Sequence, residues 1–396
     1  MKRTLESLDK GSLEGRRALV RVDFNAPIKD GVVTDDTRLR AALPTIKYLR
    51  NRGARVVLLS HLGRPKNGPD PKFSMQPVVR SLEKLLGAPV AFLSDPTSPE
   101  AVTTTKRLPR GGVALAENTR FYPGEEKNDP TLAERFAALG DLYINDAFGS
   151  AHRAHTSTEA IARVLKPAVS GFLMERELRY LGDALHHPKR PFVAVLGGAK
   201  ISGKIDLIEA LLPQVDRILL GGAMACTFFK AMGLETGKSL VESDRVELAR
   251  DLIKKAGQKL VLPTGAVAAR ELAPGVETRV VRRDAIPPDW AVYDIDPETE
   301  GTFAEIIERA GTVVWNGPMG VFETPPFDHG TLAVARAMAQ ATQHGAVTVI
   351  GGGDSAAAIA QAGLTDQVTH VSTGGGASLE FLEGKELPGV AALDEA

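Results

Sequence analysis

The sequence predicts an α/β protein of two domains, each a parallel sheet flanked by helices, and three observations carry that reading. Short, almost wholly apolar runs alternate with segments of helical period, the pattern of parallel strands joined by crossover helices. The 39 glycines gather directly after the apolar runs instead of scattering. The length, 396 residues, exceeds one domain of roughly 100–200 residues.

Taken in order, ALVRVDF (18–24), ARVVLLS (54–60), GVALAEN (112–118) and LYINDAF (142–148) read as strands. The segments LRAALPTIKYLRNRG, SMQPVVRSLEKLLG and PTLAERFAALG have helical periodicity, the first expected to be interrupted near Pro44. Each strand is followed by a loop bearing arginine or histidine. These are Asp23-Phe24-Asn25 ahead of Arg38, His61-Leu62-Gly63-Arg64, Asn118-Thr119-Arg120, and His152-Arg153-Ala154-His155.

In open α/β sheets ligands bind outside the carboxyl ends of the strands, so these side chains should converge on one crevice. Arg21 lies within its strand and is less bound to join them. A single arginine in such a loop is usually solvated. Four loops at the same end of successive strands point instead to a small polyanion, because guanidinium forks match carboxylate and phosphate oxygens bidentately. A metal held by His152 and His155 on one helical face is the alternative. The intervening Arg153 and the lack of a nearby cysteine argue against it.

Residues 172–191, FLMERELRYLGDALHHPKRP, place Met174, Leu178, Leu181 and Leu185 at spacings of four, three and four before Pro188 and Pro191 break the pattern. This predicts a helix over 172–186 at the boundary between domains 1–171 and 187–386.

The second domain opens on the run 192–196, which stops at Gly197-Gly198; Ile201, Ile205, Ile208 and Leu212 then follow at helical spacing. A strand ending in glycines before a helix leaves amides unpaired at the positive end of the helix dipole, an arrangement suited to an anion. Gly198 to Gly203-Lys204 nearly completes a P-loop, but Ile205 stands where a hydroxyl must hold Mg²⁺, so this is no Walker A site. Taken alone, the stretch also fits a glycine-rich turn with two solvated lysines, Lys200 and Lys204.

DRILLGGAMA (216–225), KLVLPTG (259–265), TVVWNGPMGVF (312–322), AVTVIGGGDSA (346–356) and HVSTGGGAS (370–378) repeat the strand-then-glycine plan. The turns 351–355 and 373–378 are rich in expected free amides. Asp354 stands where a Mg²⁺ bridging phosphates needs a carboxylate, or serves only as a helix N-cap.

Composition is that of a globular chain, 43% apolar and 24% charged with a net charge of −1, which gives no support for binding nucleic acid or membrane through bulk charge. One cysteine, Cys226, rules out an internal disulfide. With no apolar signal core at the N-terminus and no long apolar run, a cytoplasmic protein is expected.

The blocks RVDFNAP (21–27), SHLGRP (60–65), ENTRFYPGE (117–125), NDAFGSAHRAH (145–155), LGGAK (196–200), WNGPMGVFE (315–323), IGGGDS (350–355) and HVSTGGGASLE (370–380) strongly resemble the phosphoglycerate kinase family, in its order and over essentially the whole chain. The resemblance implies a Rossmann-like two-domain fold and reversible phosphoryl transfer between ATP and the carboxylate of 3-phosphoglycerate. It implies a monomer that acts on small molecules by hinge closure, with the tail 387–396 packed back on the first domain.

It also implies that Asp23, Asn25, Arg38, His61, Arg64, Arg120, His152 and Arg153 hold phosphoglycerate. Gly198, Lys200, Lys204, Asn316, Gly352, Gly353, Asp354 and Ser355 would meet the nucleotide phosphates, with Asp354 on Mg²⁺, Glu323 on the ribose and Val292 beside the nucleoside. Arg38, Lys200 and the amides of 374–376, Gly375 and Gly376 among them, would neutralise charge on the moving phosphoryl group. The chain departs from the family's pattern at 262–265 (LPTG), 269–272 (AREL) and 292–297 (VYDIDP), where Val292 replaces a glycine; the nucleoside contacts are therefore the part placed in doubt.

Overall fold

The computed structural model describes residues 2–66 and 68–396, and within them two compact units. The first runs to Arg179 and regains Glu386–Ala396; the second is Tyr180–Lys385. The division falls inside the helix Phe172–His186, whose bounds match those expected from the sequence.

The strands of the first unit are β1 (Arg17–Arg21), β2 (Ile28–Lys29), β3 (Val32–Val33), β4 (Arg55–Leu59), β5 (Val90–Leu93), β6 (Val113–Ala116), β7 (Leu142–Asn145) and β8 (Ala168–Ser170). Six of them form a parallel sheet in the order β5-β6-β4-β1-β7-β8, while β2 and β3 pair as a hairpin. The apolar runs of the sequence correspond to β1, β4, β6 and β7, which are the four inner strands; neither edge strand was expected.

Register aligns the strand ends. Arg21 lies opposite Leu59 on one side and Asn145 on the other, and Leu58 lies opposite Leu115, so the inner strands end together and their loops leave one sheet edge. Helices cover both faces of this sheet, burying among others Leu39, Leu43, Ile46 and Leu49 on one side and Leu132, Phe136 and Ile161 on the other.

The helix Thr37–Asn51 runs unbroken through Pro44, against expectation. Pro44 is on the exposed face, and the backbone bond it forgoes would have ended on the carbonyl of exposed Arg40, which water can reach. The C-terminal segment returns to this unit: Leu393 is buried in its core, the Gly389 amide donates to the Ala151 carbonyl at 2.9 Å, and Asn145 Nδ2 donates to the Gly389 carbonyl at 3.0 Å.

The second unit contains β9 (Phe192–Leu196), β10 (Arg217–Leu220), β11 (Leu260–Val261), β12 (Gly265–Ala269), β13 (Thr278–Arg282), β14 (Ala291–Ile295), β15 (Thr312–Asn316), β16 (Val347–Gly351) and β17 (His370–Val371). Its parallel sheet has the order β11-β10-β9-β15-β16-β17. Both β9 and β15 are buried along their whole length, as near-continuous apolar runs should be in a sheet covered on both faces. Leu196, Leu220, Asn316 and Gly351 are register partners in series, so here too the glycine turns leave a common edge.

The antiparallel sheet β13-β12-β14 beside this core was not expected from the apolar pattern. The helix expected directly after Gly198 begins later: Ile201–Gly203 forms a tight turn and the helix proper is Ile205–Leu211.

Candidate functional site

In the first unit the loops of the four inner strands bring basic side chains together around one carboxylate. Arg38, in the first turn of the Thr37–Asn51 helix, donates to Asp23 Oδ2 at 2.5 Å. Burial alone would raise the Asp23 carboxyl, but the guanidinium charges of Arg38 and Arg21 help draw it below the ordinary value. It is an anion at neutral pH. Asn25 donates its amide to Asp23 Oδ1 at 3.2 Å and accepts the Gly63 amide at 2.9 Å, tying the loop after β1 to the loop after β4.

Arg120 donates to the Gly63 carbonyl at 2.6 Å and faces Glu126 at 3.3 Å; burial holds its guanidinium below the usual range. Arg153 donates to His152 Nε2 at 3.2 Å. His61 is pushed well below its ordinary value by burial, opposed by Asp23 and reinforced by Arg21, Arg120 and Arg38. His155 falls to about 4 through burial and the arginines Arg120, Arg21 and Arg153. Both rings are neutral at pH 7, in a field dominated by guanidinium charge.

All the residues expected for a small anion except Arg64 fall within this cluster; Arg64 stands exposed on the loop after β4. Arg21, the doubtful member, is 1% exposed and reaches His61. His152 and His155 do not share a helical face, because His155 is extended (φ −108°, ψ 156°) and precedes the wide turn Thr156–Ala160. Among the described residues, no three His, Cys, Asp or Glu side chains converge as metal ligands.

In the second unit a cleft of about 350 Å³ is lined by Gly198, Lys200, Lys204, Asn316, Gly352, Gly353, Asp354, Ser355, Gly375 and Gly376. The turns are built by close backbone approach. A Cβ on Gly197 would lie 2.1 Å from the Pro318 carbonyl oxygen, and Gly352 has φ +89° with Asn316 Nδ2 at 2.8 Å from its missing Cβ.

The expectation of free amides fails at three glycines, Gly197, Gly198 and Gly374. Gly197 and Gly198 donate to the carbonyls of Asn316 and Pro318, both at 2.9 Å, because β9 and β15 remain paired beyond their ends. Gly374 donates to Ser372 Oγ at 3.1 Å. Amides without an intrahelical acceptor remain in the first turn of the helix Gly353–Gln361. Gly352 is its N-cap, so Asp354 is not; its carboxylate is exposed on the cleft wall.

Lys204 donates to Asn316 Oδ1, and Asn316 Nδ2 donates to the Gly351 carbonyl at 2.8 Å, so the lysine is aimed by the ends of two strands. Burial lowers the Lys204 ammonium to about 8, against the opposing pull of Asp354 and Glu383. The Ser355 hydroxyl accepts the Gly317 amide at 2.6 Å and is thus part of the frame. Lys200 is exposed at the mouth.

Two expected residues lie away from this lining. Val292 is buried on β14 among Ala225, Cys226, Phe229, Ala266 and Ile286, because its strand position turns the side chain into that apolar cluster. Glu323 is exposed on a turn. Glu125 and Ser157, whose buried pairing holds Arg21, were not expected either; nothing in their spacing distinguishes them.

A family model described as phosphoglycerate kinase matches residues 8–385. The wheat (Triticum aestivum) protein "Phosphoglycerate kinase, cytosolic" is 53% identical, with 100% of this chain and 99% of that one covered. The Volvox carteri protein "Phosphoglycerate kinase, chloroplastic" is 52% identical over 100% of this chain and 87% of its own. The solved phosphoglycerate kinase of Coxiella burnetii superposes with a TM-score of 0.90 at 42% identity, covering 99% of this chain and 98% of that one. A basic cluster on one parallel sheet, a glycine-walled cleft on another and full-length similarity of this degree have one consequence: the chain belongs to the phosphoglycerate kinase family.

Proposed function

We propose that this chain moves a phosphoryl group reversibly between ATP and the carboxylate of 3-phosphoglycerate, giving ADP and 1,3-bisphosphoglycerate. The observation that carries the reading is a connected cluster at one sheet edge, in which Arg38 and His61 face Asp23, Arg120 faces His61, and Arg153, bonded to His152, faces Arg120. In this assignment those residues, with Asn25 and Arg64, hold phosphoglycerate. Gly198, Lys200, Lys204, Asn316 and the turn 352–355 take the nucleotide phosphates, with Glu323 toward the ribose.

The acceptor carboxylate is already ionised at neutral pH, with an ordinary pKa below about 4, so no general base is required. What the residues supply is orientation and charge neutralisation. Lys200 from the second unit, Arg38 from the first, and the Gly375 and Gly376 amides are assigned to the moving phosphoryl group. Since the two ligand sets belong to different units, transfer requires the units to close about both substrates, and the helix Phe172–His186 joins them.

Asp354 fits Mg²⁺: it is a single exposed carboxylate on a phosphate-sized cleft, and Mg²⁺ usually takes one or two carboxylates together with water and substrate oxygens. When bound with the nucleotide, Mg²⁺ would neutralise phosphate charge there. Buried, unpaired Cys226 and the name of the wheat relative support a cytoplasmic location, and a monomer suffices for the assigned residues.

Coupled measurement of ADP formed from ATP and 3-phosphoglycerate tests the proposal. Turnover that requires both substrates and Mg²⁺ is expected; absence of phosphoglycerate-dependent ADP release overturns it.

A further inference from the structure

Resting on that assignment, we infer that Arg21 fixes His61 as the neutral imidazole with its proton on Nε2, so that His61 meets the phosphoglycerate anion as a hydrogen-bond donor. Arg21 Nη2 lies 3.1 Å from His61 Nδ1. A guanidinium has only donors and is never deprotonated in a protein, so Nδ1 must be the acceptor and carry no proton. An imidazolium would set two donors against each other across that 3.1 Å contact. The proton is left to Nε2, which has no hydrogen-bond partner among the described residues.

Arg21 cannot turn away to relax this demand. Its Nε donates to Ser157 Oγ at 2.8 Å and its Nη1 to the Val22 carbonyl at 2.5 Å. Ser157 is itself held: its hydroxyl donates to Glu125 Oε1 at 2.5 Å, its amide to Glu125 Oε2 at 3.0 Å, and its carbonyl accepts the Tyr143 hydroxyl at 2.8 Å. Arg21, Ser157, Glu125 and Tyr143 are all at most 1% exposed. The guanidinium is thus anchored on the residue after β1 and on Ser157 of the turn Thr156–Ala160, which Glu125 in turn holds.

The charges facing His61 are Asp23, Arg21, Arg120 and Arg38. Asp23 favours the imidazolium, while burial and the three arginines oppose it, in agreement with the geometry. Arg21 is therefore a positioning residue, and the cationic work of the site falls to the other arginines.

Long-range ¹⁵N–¹H spectra of the histidine rings in the full-length protein test this, with the His61 signals identified by their loss in His61→Gln. A neutral Nε2–H ring that does not titrate between about pH 6 and 8, with or without 3-phosphoglycerate, is expected. An Nδ1–H tautomer or an imidazolium overturns the inference. A second readout is kinetic. His61→Gln retains an amide donor near the Nε2 position and should hold the phosphoglycerate KM within about threefold, whereas His61→Leu should raise it about 10- to 100-fold, the worth of a hydrogen bond to a charged group. Equal KM values for the two variants also overturn it. A wild-type protein inactive on 3-phosphoglycerate would defeat the proposed function, whereas an active enzyme with the wrong tautomer defeats only this inference.

Discussion

Replacing Val292 with glycine, the residue the family pattern has there, should weaken the second unit and leave nucleotide affinity nearly unchanged. Val292 is 8% exposed and packs on Ala225, Cys226, Phe229, Ala266 and Ile286. Its amide donates to Ser239 Oγ at 3.0 Å, and it pairs with Ala268 beyond an irregularity in the β12–β14 register. Three buried carbons at about 0.8 kcal/mol each give about 2.4 kcal/mol. A partly collapsed cavity and the freedom of glycine in a strand add about 0.5–1 kcal/mol. A loss of about 3 kcal/mol corresponds to about 6–12 °C in the melting of a unit this size. The assay is built in, because both tryptophans of the chain, Trp290 and Trp315, are buried in the second unit, so intrinsic fluorescence during urea or thermal unfolding reports that unit alone. An unchanged midpoint together with a markedly lowered nucleotide KM would refute the reasoning and put Val292 against the nucleoside.

Lys200→Ala and Arg38→Ala should each lower kcat and kcat/KM together, by about 10²–10³-fold, while Arg64→Ala should chiefly raise the phosphoglycerate KM; near-normal turnover in the first two defeats the charge-neutralisation assignment. Asp294 is raised to about 8 by burial, against the pull of the Gly330 and Ile295 amides, so the native state holds a proton that the unfolded chain releases near 4. Its contribution is greatest at low pH and fades as pH rises from about 4 to about 8, so Asp294→Asn should flatten the stability–pH curve of the second unit over that window; a parallel curve in urea titrations counts against it. Adding ATP analogue and 3-phosphoglycerate together should reduce the radius of gyration in solution scattering; identical profiles argue against closure.

Legibility in the sequence tracks burial. The inner strands β1, β4, β6 and β7 are covered on both faces and announce themselves as apolar runs. The edge strands do not: β5 (VAFL) is only half buried, and β8 is three residues, AVS, between proline and a helix. The antiparallel sheet escaped for a related reason. Its middle strand β12 is GAVAA, too small in side chain to read as strand, and β13, TRVVR, exposes Arg279, Val280 and Arg282. Pro44 misled in the opposite direction, because proline reports a lost amide and says nothing of whether water can satisfy the orphaned carbonyl.

The two halves of the site were unequally legible, and the difference is physical. On the proposed assignment, function in the first unit rests on side chains, and parallel register alone brings loops after β1, β4, β6 and β7 to one edge, so reading residue types at strand ends locates the cluster. In the second unit it rests on backbone amides, whose availability depends on partners across the sheet. Gly197 and Gly198 look like donors in waiting, yet both are spent on β15 and the turn behind it; their service is to let two backbones touch, as the 2.1 Å approach at Gly197 requires. Amides left without an acceptor lie further along the sheet edge, at Gly353–Gln361, where a helix begins and helix geometry itself denies the first N–H groups a partner. Lys204 links the two turns: fixed on Asn316, at the end of the strand between them, it stands beside the free amides and shares the field of Asp354.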